Sequence, residues 1–192
     1  LTKTVKSIKS DESLNKMETI LRSEIKKTLS MTALKNIIPS YARVTSYDRL
    51  ASRKVKTLKE AMGGSTVLIL LFNIHDKQHR VLNVPGHFFL ISTRGPEKCV
   101  VFSSTGMQPR KELFITQSDP SLLERILPAG TVYNDVKFQI SKDSNTCWRY
   151  LILFAHLAHI GLKNFQKLFS RPHFTIHSSD LLVTALTYIL LN

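Results

Sequence analysis

Three apolar runs lie close together in the middle of the chain: "TVLILLF" at 66–72, "HFFLI" at 87–91 and "CVVF" at 99–102. Each is short and rich in β-branched or aromatic residues, and polar turn sequences, "HDKQHR" and "RGPEK", lie between them. Short apolar runs punctuated in this way predict strands, and strands joined by short turns predict an antiparallel meander. The first run shows no polar alternation, so its strand is expected to be covered on both faces. Gly63-Gly64 punctuates its start. "TVYNDVKFQI" at 131–140 reads as a fourth strand.

Helices are expected around this sheet. Leu14, Met17, Leu21 and Ile25 recur at spacings of three and four, which predicts an amphipathic helix over Leu14–Leu29. "SDPSLLERIL" begins with a capped helical start, and a long apolar helix is predicted from about Thr146 to Ile160. A further helical piece is expected at Asn164–Phe169, and a C-terminal helix capped by the Ser178–Ser179–Asp180 cluster. "SYARVTSYDRL" reads as a loop, and "ASRKVKTLKEA" as a short basic helix or loop. The expected fold class is therefore α+β, a central antiparallel or mixed sheet packed against a central helix. Residues 1–33 form a basic tail and amphipathic helix in this reading, and 34–192 the main domain.

The chain has 27 Lys and Arg against 14 Asp and Glu, a formal charge of +13. That excess points to a polyanionic partner such as DNA, or else to a basic enzyme with a solvated surface. The basic residues concentrate in Arg43–Lys59 and at Arg149, Lys163, Lys167 and Arg171. No apolar block approaches the length of a membrane span, and "LTKTVKSIKSDES" contains no signal-type apolar core, so no membrane partner is expected. Two cysteines make no disulfide framework and point to a reducing compartment.

Cys147 stands in "SNTCWRYLILFAHL", at the predicted start of the long helix. Two readings stay open from the residues alone. It is a small packing residue, or it is a nucleophile, since helix N-termini favour a thiolate and lower thiol pKa values to roughly 3.5–7.5. Cys99 lies within a strand and reads as packing. Among the histidines, His87 opens a strand behind Gly86. His156 with His159 and His173 with His177 have metal-compatible spacings, but no cysteine or carboxylate completes either set, so neither metal nor cofactor is expected. His75 and His79 flank a hairpin tip and read as solvated.

Taken in order, "GHFFLI", "VVFSSTG", "YNDVKFQ" and "SNTCWRYLILFAHL" resemble the adenovirus-type maturation protease family, with its relatives in virophages and Polinton-like elements and, more distantly, the SUMO-protease clan. "SYDRL" is similar to the segment ahead of the core in adenoviral enzymes, and the resemblance runs from about Leu34 to Phe169. It implies a cysteine protease fold with Cys147 as nucleophile, His87 as base and Gln139 as an oxyanion donor. It also implies cleavage of viral capsid or structural precursors near small or Gly residues, within the virion or the host cytoplasm, with DNA as a possible polyanionic companion. Two positions depart from the family pattern. Ser103 stands where an acid is usual, which implies a Cys–His couple oriented by a neutral hydroxyl, and Trp148 stands where Gly often follows the nucleophile. Two other readings compete. One is a deubiquitinase or deSUMOylase of the same clan. The other is a decayed protease fold serving as a basic nucleic-acid-binding scaffold, a reading supported by the missing acid.

Overall fold

The apolar run at 66–72 hides an alternation that appears once it is extended. In the computed structural model, which describes residues 15–84, 86–139, 144–170 and 176–191, it forms β2 (Val67–Phe72) at the heart of a five-stranded sheet. The order is β1 (Ala42–Ser46), β2, β3 (His87–Ser92), β4 (Val100–Phe102) and β5 (Val132–Tyr133). β2, β3 and β4 form the expected antiparallel meander, whereas β1 pairs with β2 and β5 with β4 in parallel, so the sheet is mixed.

Helices cover both faces. They are α1 (15–25), α2 (Met31–Ile37), α3 (Tyr47–Ser52), α4 (Leu58–Met62), α5 (Pro109–Ile115), α6 (Ser121–Ile126), α7 (Cys147–Leu157), α8 (Leu162–Phe169) and α9 (Ile176–Leu191). Val67 and Ile69 of β2, Phe88 and Leu90 of β3, and Val100 and Phe102 of β4 point to one core with α7 and α8. The intervening Leu68, Leu70, Phe72, Phe89, Ile91 and Val101 point to a second core with Leu50, Leu113, Leu122 and Ile126 from α3, α5 and α6. Side chains on a strand alternate between faces, and here both faces are dry, which explains the unbroken apolar run. In the first core Phe102 stacks on Phe154 at 4.5 Å between ring centroids and meets Phe165 edge-on at 5.4 Å. Such pairs contribute about 0.5–1.5 kcal/mol beyond burial.

The structure departs from the sequence expectation in several elements. "ARVTS" is a strand and not a loop; Ser46 ends it and caps α3 directly, its Oγ accepting from Arg49 N. The fourth predicted strand shortens to β5, because Asn134 turns its side chain back to the main chain at Val136 and Ser103. α5 was not anticipated. The cluster at 178–180 falls inside α9: Ser179 Oγ donates to Phe138 O and Asp180 accepts from Ser144, Thr146 and Tyr150. The tail at 1–12, His173 and Arg171 lie outside the described residues. No described helix is long and apolar enough to cross a membrane.

Candidate active site

Strand parity brings the first two site residues together. His87 shares its face of β3 with Phe89 and Ile91, the face that α5 covers. β3 and β4 pair through Leu90↔Phe102. Continuing that register by one residue sets Ser103 across from Phe89, on the same face and one diagonal step from His87. Gly86 precedes His87 because the backbone passes hard against β2: a Cβ there would lie 2.2 Å from Phe72 O. After Ser103 the chain turns at Gly106 (φ +68°), where a Cβ would collide with the main chain of Val136, and then enters α5 with Pro109 in its first turn. α5 folds onto the His87 face and presents Glu112, which is 2% exposed.

Glu112 is the residue of the candidate site that the sequence reading missed. Its Oε1 accepts from Ser103 Oγ at 2.5 Å and from Thr105 Oγ1 at 2.6 Å, and lies 3.5 Å from His87 Nε2. Ser103 Oγ lies 3.2 Å from the same Nε2. With the Ser103 proton directed at the carboxylate, the hydroxyl oxygen is free to accept from Nε2–H. The order is thus imidazole, hydroxyl, carboxylate, with the charge close enough to act on the ring directly. Ser103 reaches the imidazole, and a carboxylate that the sequence reading did not place there, Glu112 from a helix nine residues on, stands beside both. Pro109, Glu112 and Leu113, at i, i+3 and i+4, form the buried face of α5.

The half-buried Cys147 is near enough to His87 to act on its protonation. Burial pulls the His87 pKa down, but the neighbouring Cys147 and the charge of Glu112 outweigh it, and the imidazole is held above its ordinary value. Cys147 is the first residue of α7, and Thr146 is its N-cap. The first donors of its hydrogen-bond ladder are Arg149 N and Tyr150 N, both to Thr146 O, so the N–H groups of Cys147 and Trp148 precede the ladder.

Gln139 is held beside the loop that leads into Cys147. Its main-chain N donates to Ser104 O at 3.0 Å, its Oε1 accepts from Ser104 Oγ at 3.1 Å, and its Nε2 donates to Ser144 O at 2.7 Å. One amide proton is committed there, and among the described residues the second has no partner. Cys147 opens onto a cleft of about 400 Å³. Thr28, Leu29 and Met31 form one wall, and Asn73, Val84 and Phe88 belong to the other.

Cys99 is fully buried in the second core, as expected of a packing residue. His75 is not solvated: it is 8% exposed, with Nδ1 3.1 Å from Thr116 O and Nε2 3.3 Å from Asp48 Oδ1, while His79 is exposed. Among the described residues no three His, Cys, Asp or Glu side chains are grouped to hold a metal. Arg149, counted above among the surface cations, is 2% exposed and paired with Glu24. In comparisons with known proteins, no family model and no curated protein matches the chain.

Proposed function

We propose that the protein is a cysteine endopeptidase that cleaves capsid or other structural precursors in viral particle maturation. The observation that carries the reading is a hydrogen-bonded His87, Ser103 and Glu112 set beside a cysteine, Cys147, that lines a cleft and acts on His87. A thiol, an imidazole that takes its proton and a carboxylate that steadies the imidazolium are the parts that acyl transfer to sulfur requires.

The reaction proceeds in two halves. The Cys147 proton passes to His87, and the thiolate attacks the scissile carbonyl carbon. The oxyanion forms against the Cys147 N–H and the uncommitted amide proton of Gln139. The C–N bond breaks as His87 returns its proton to the leaving amine. Water, deprotonated by His87, then hydrolyses the thioester and frees Cys147. Glu112 favours the imidazolium that forms in each half, and Ser103 fixes the ring through Nε2. An oxyanion donor of the Gln139 kind contributes about 3–4 kcal/mol to the barrier difference. The carboxylate of Glu112 beside His87 supports this reading over a catalytically decayed scaffold, which the missing acid had suggested.

The substrate class follows from the family resemblance, and the basic surface accords with work near packaged DNA. Arg53, Lys54, Lys56, Lys59, Lys163 and Lys167 are all exposed. Duplex binding is expected to be independent of sequence and to weaken steeply with salt, with a slope of about −0.9 per phosphate neutralised. The deciding experiment incubates the protein with candidate capsid precursors and reads intact masses. Discrete fragments that vanish with Cys147→Ala support the proposal. Release of a ubiquitin-type reporter without capsid cleavage moves the assignment to deubiquitination, and no cleavage of either overturns it.

A further inference from the structure

Three residues around the nucleophile donate to one short stretch of chain at the C-terminal end of α1. Asn145 N reaches Ile25 O and Asn145 Nδ2 reaches Lys26 O, both at 2.9 Å. Trp148 Nε1 reaches Lys27 O at 3.1 Å. Arg149 Nη2 reaches Glu24 O at 3.3 Å and Glu24 Oε2 at 2.7 Å. The last carbonyls of a helix have no partners inside it. Here donors from distant chain, on either side of Cys147, take them up.

Arg149 strengthens the connection. Its side chain is only 3% exposed, its Nη1 donates to Thr187 Oγ1 at 2.9 Å, and its guanidinium lies 4.2 Å over the Trp148 ring. A buried cation needs its counter-charge, and Glu24 supplies it. Across the loop, Asp180 accepts from Thr146 Oγ1 at 2.6 Å and from Ser144 Oγ at 3.0 Å. The loop entering α7 is thus tied by α9 on one side and by residues 24–27 on the other. Beyond residue 27 the same stretch becomes the cleft wall at Thr28–Met31.

We infer that residues 24–27 position the nucleophile: their clamp on Asn145, Trp148 and Arg149 fixes the first turn of α7 so that Cys147 meets His87 in register with the cleft wall. Glu24, Asn145, Trp148 and Arg149 are positioning residues and touch no reacting atom. The meaning for peptide hydrolysis rests on the protease reading, but the effect on the thiol does not.

Two variants test the clamp. Trp148→Phe keeps an aromatic ring in the core and deletes the bond to Lys27 O, together with the second ring of the indole. Glu24→Gln removes the charge facing Arg149 and keeps an acceptor. Thermal melting, the rate of Cys147 alkylation by iodoacetamide as a function of pH, and kcat and KM on a cleaved peptide are measured for each. Trp148→Phe is expected to melt cooperatively and to lower the alkylation rate about fivefold, the scale of one lost hydrogen bond. On a cleaved peptide kcat should fall more than KM changes. Glu24→Gln is expected to show the larger loss; should it fail to fold, Trp148→Phe decides. A folded Trp148→Phe with the wild-type alkylation profile overturns the inference, even if its melting temperature falls. If alkylation depends on the clamp but no peptide is cleaved, the inference stands and the protease reading falls. If peptide is cleaved and the folded variants keep the wild-type profile, the reverse holds.

Discussion

Replacing Glu112 with glutamine keeps the shape of the site and removes only its charge. Ser103 Oγ and Thr105 Oγ1, at 2.5 and 2.6 Å from Oε1, can still donate to an amide oxygen. What disappears is the attraction between the carboxylate and the imidazolium, whose Nε2 is 3.5 Å away. At an effective dielectric constant of about 20, unit charges at that distance interact by about 5 kcal/mol. The His87 side chain keeps 22% of its surface exposed, so solvent screens part of this, and the proton is only partly transferred in the transition state. Roughly half survives in this accounting, about 2–3 kcal/mol, which corresponds to a loss of about 30- to 150-fold in kcat/KM. The pH profile adds a second reading. His87 is held above its ordinary value against the pull of burial, and Glu112 is among the causes. Loss of that charge lowers the imidazole pKa, so the alkaline limb of the rate profile, where the imidazolium loses its proton, moves to lower pH. The sign for stability agrees. A raised imidazole stabilises the fold at pH below its unfolded value, and the gain is lost as pH rises through the folded value; Glu112→Gln reduces that gain. The assay is hydrolysis of a fluorogenic peptide across the neutral range, with melting recorded in parallel. A folded Glu112→Gln within threefold of wild type and with an unmoved alkaline limb would refute the reasoning.

Ser103→Ala leaves Glu112 in place and removes one neutral link; a loss of about 2- to 12-fold in kcat/KM is expected, the equivalent of roughly 0.5–1.5 kcal/mol. Ser103→Asp, which looks like a repaired triad on sequence alone, is expected to lower activity, because the new carboxylate would face Glu112 where Oγ now sits 2.5 Å away; a gain in kcat/KM over wild type contradicts the placement of Glu112. Cys99→Ala, in the second core and away from the cleft, should lower the melting temperature while folded protein keeps most of its kcat; a dead but folded variant counts against Cys147 as the nucleophile. Gly86→Ala should fail to fold or lose the His87 geometry, since the added methyl meets Phe72 O at 2.2 Å; normal melting and activity together would disprove that the close approach is needed.

The parts of the fold that were legible are those where one physical signal dominated. β2, β3 and β4 announce themselves through dense apolar runs, and α7 through the long apolar stretch behind Thr146. β1 was hidden because "ARVTS" buries only Val44 and Thr45 fully and passes into α3 without a loop. β5 was overread because the segment after Tyr133 is held by Asn134 and by Ser104 O and not by a ladder. In the candidate site His87, Ser103, Gln139 and Cys147 were named from motif order, and Glu112 was not. The reason lies in α5, where Phe114 is 82% exposed and Ile115 55%, so hydrophobicity points to the wrong face of the helix. The buried face carries a carboxylate instead, an arrangement that propensity does not encode and that only the packing against His87 explains. Nor does spacing foretell the docking of residues 24–27, since their bonds to 145–149 use main-chain carbonyls that any sequence would offer.

The central claim is that Cys147 is a nucleophile activated by His87, and covalent trapping tests it most directly. The protein is treated with a peptide vinyl sulfone ending in Gly-Gly, and the adduct is located by mass mapping of the digested chain in wild type and in His87→Ala. The expected result is one adduct, on Cys147, in wild type, and a rate lower by orders of magnitude in a folded His87→Ala. Labelling of Cys147 at equal rates in both proteins, or no labelling of Cys147 in folded wild type, would contradict it.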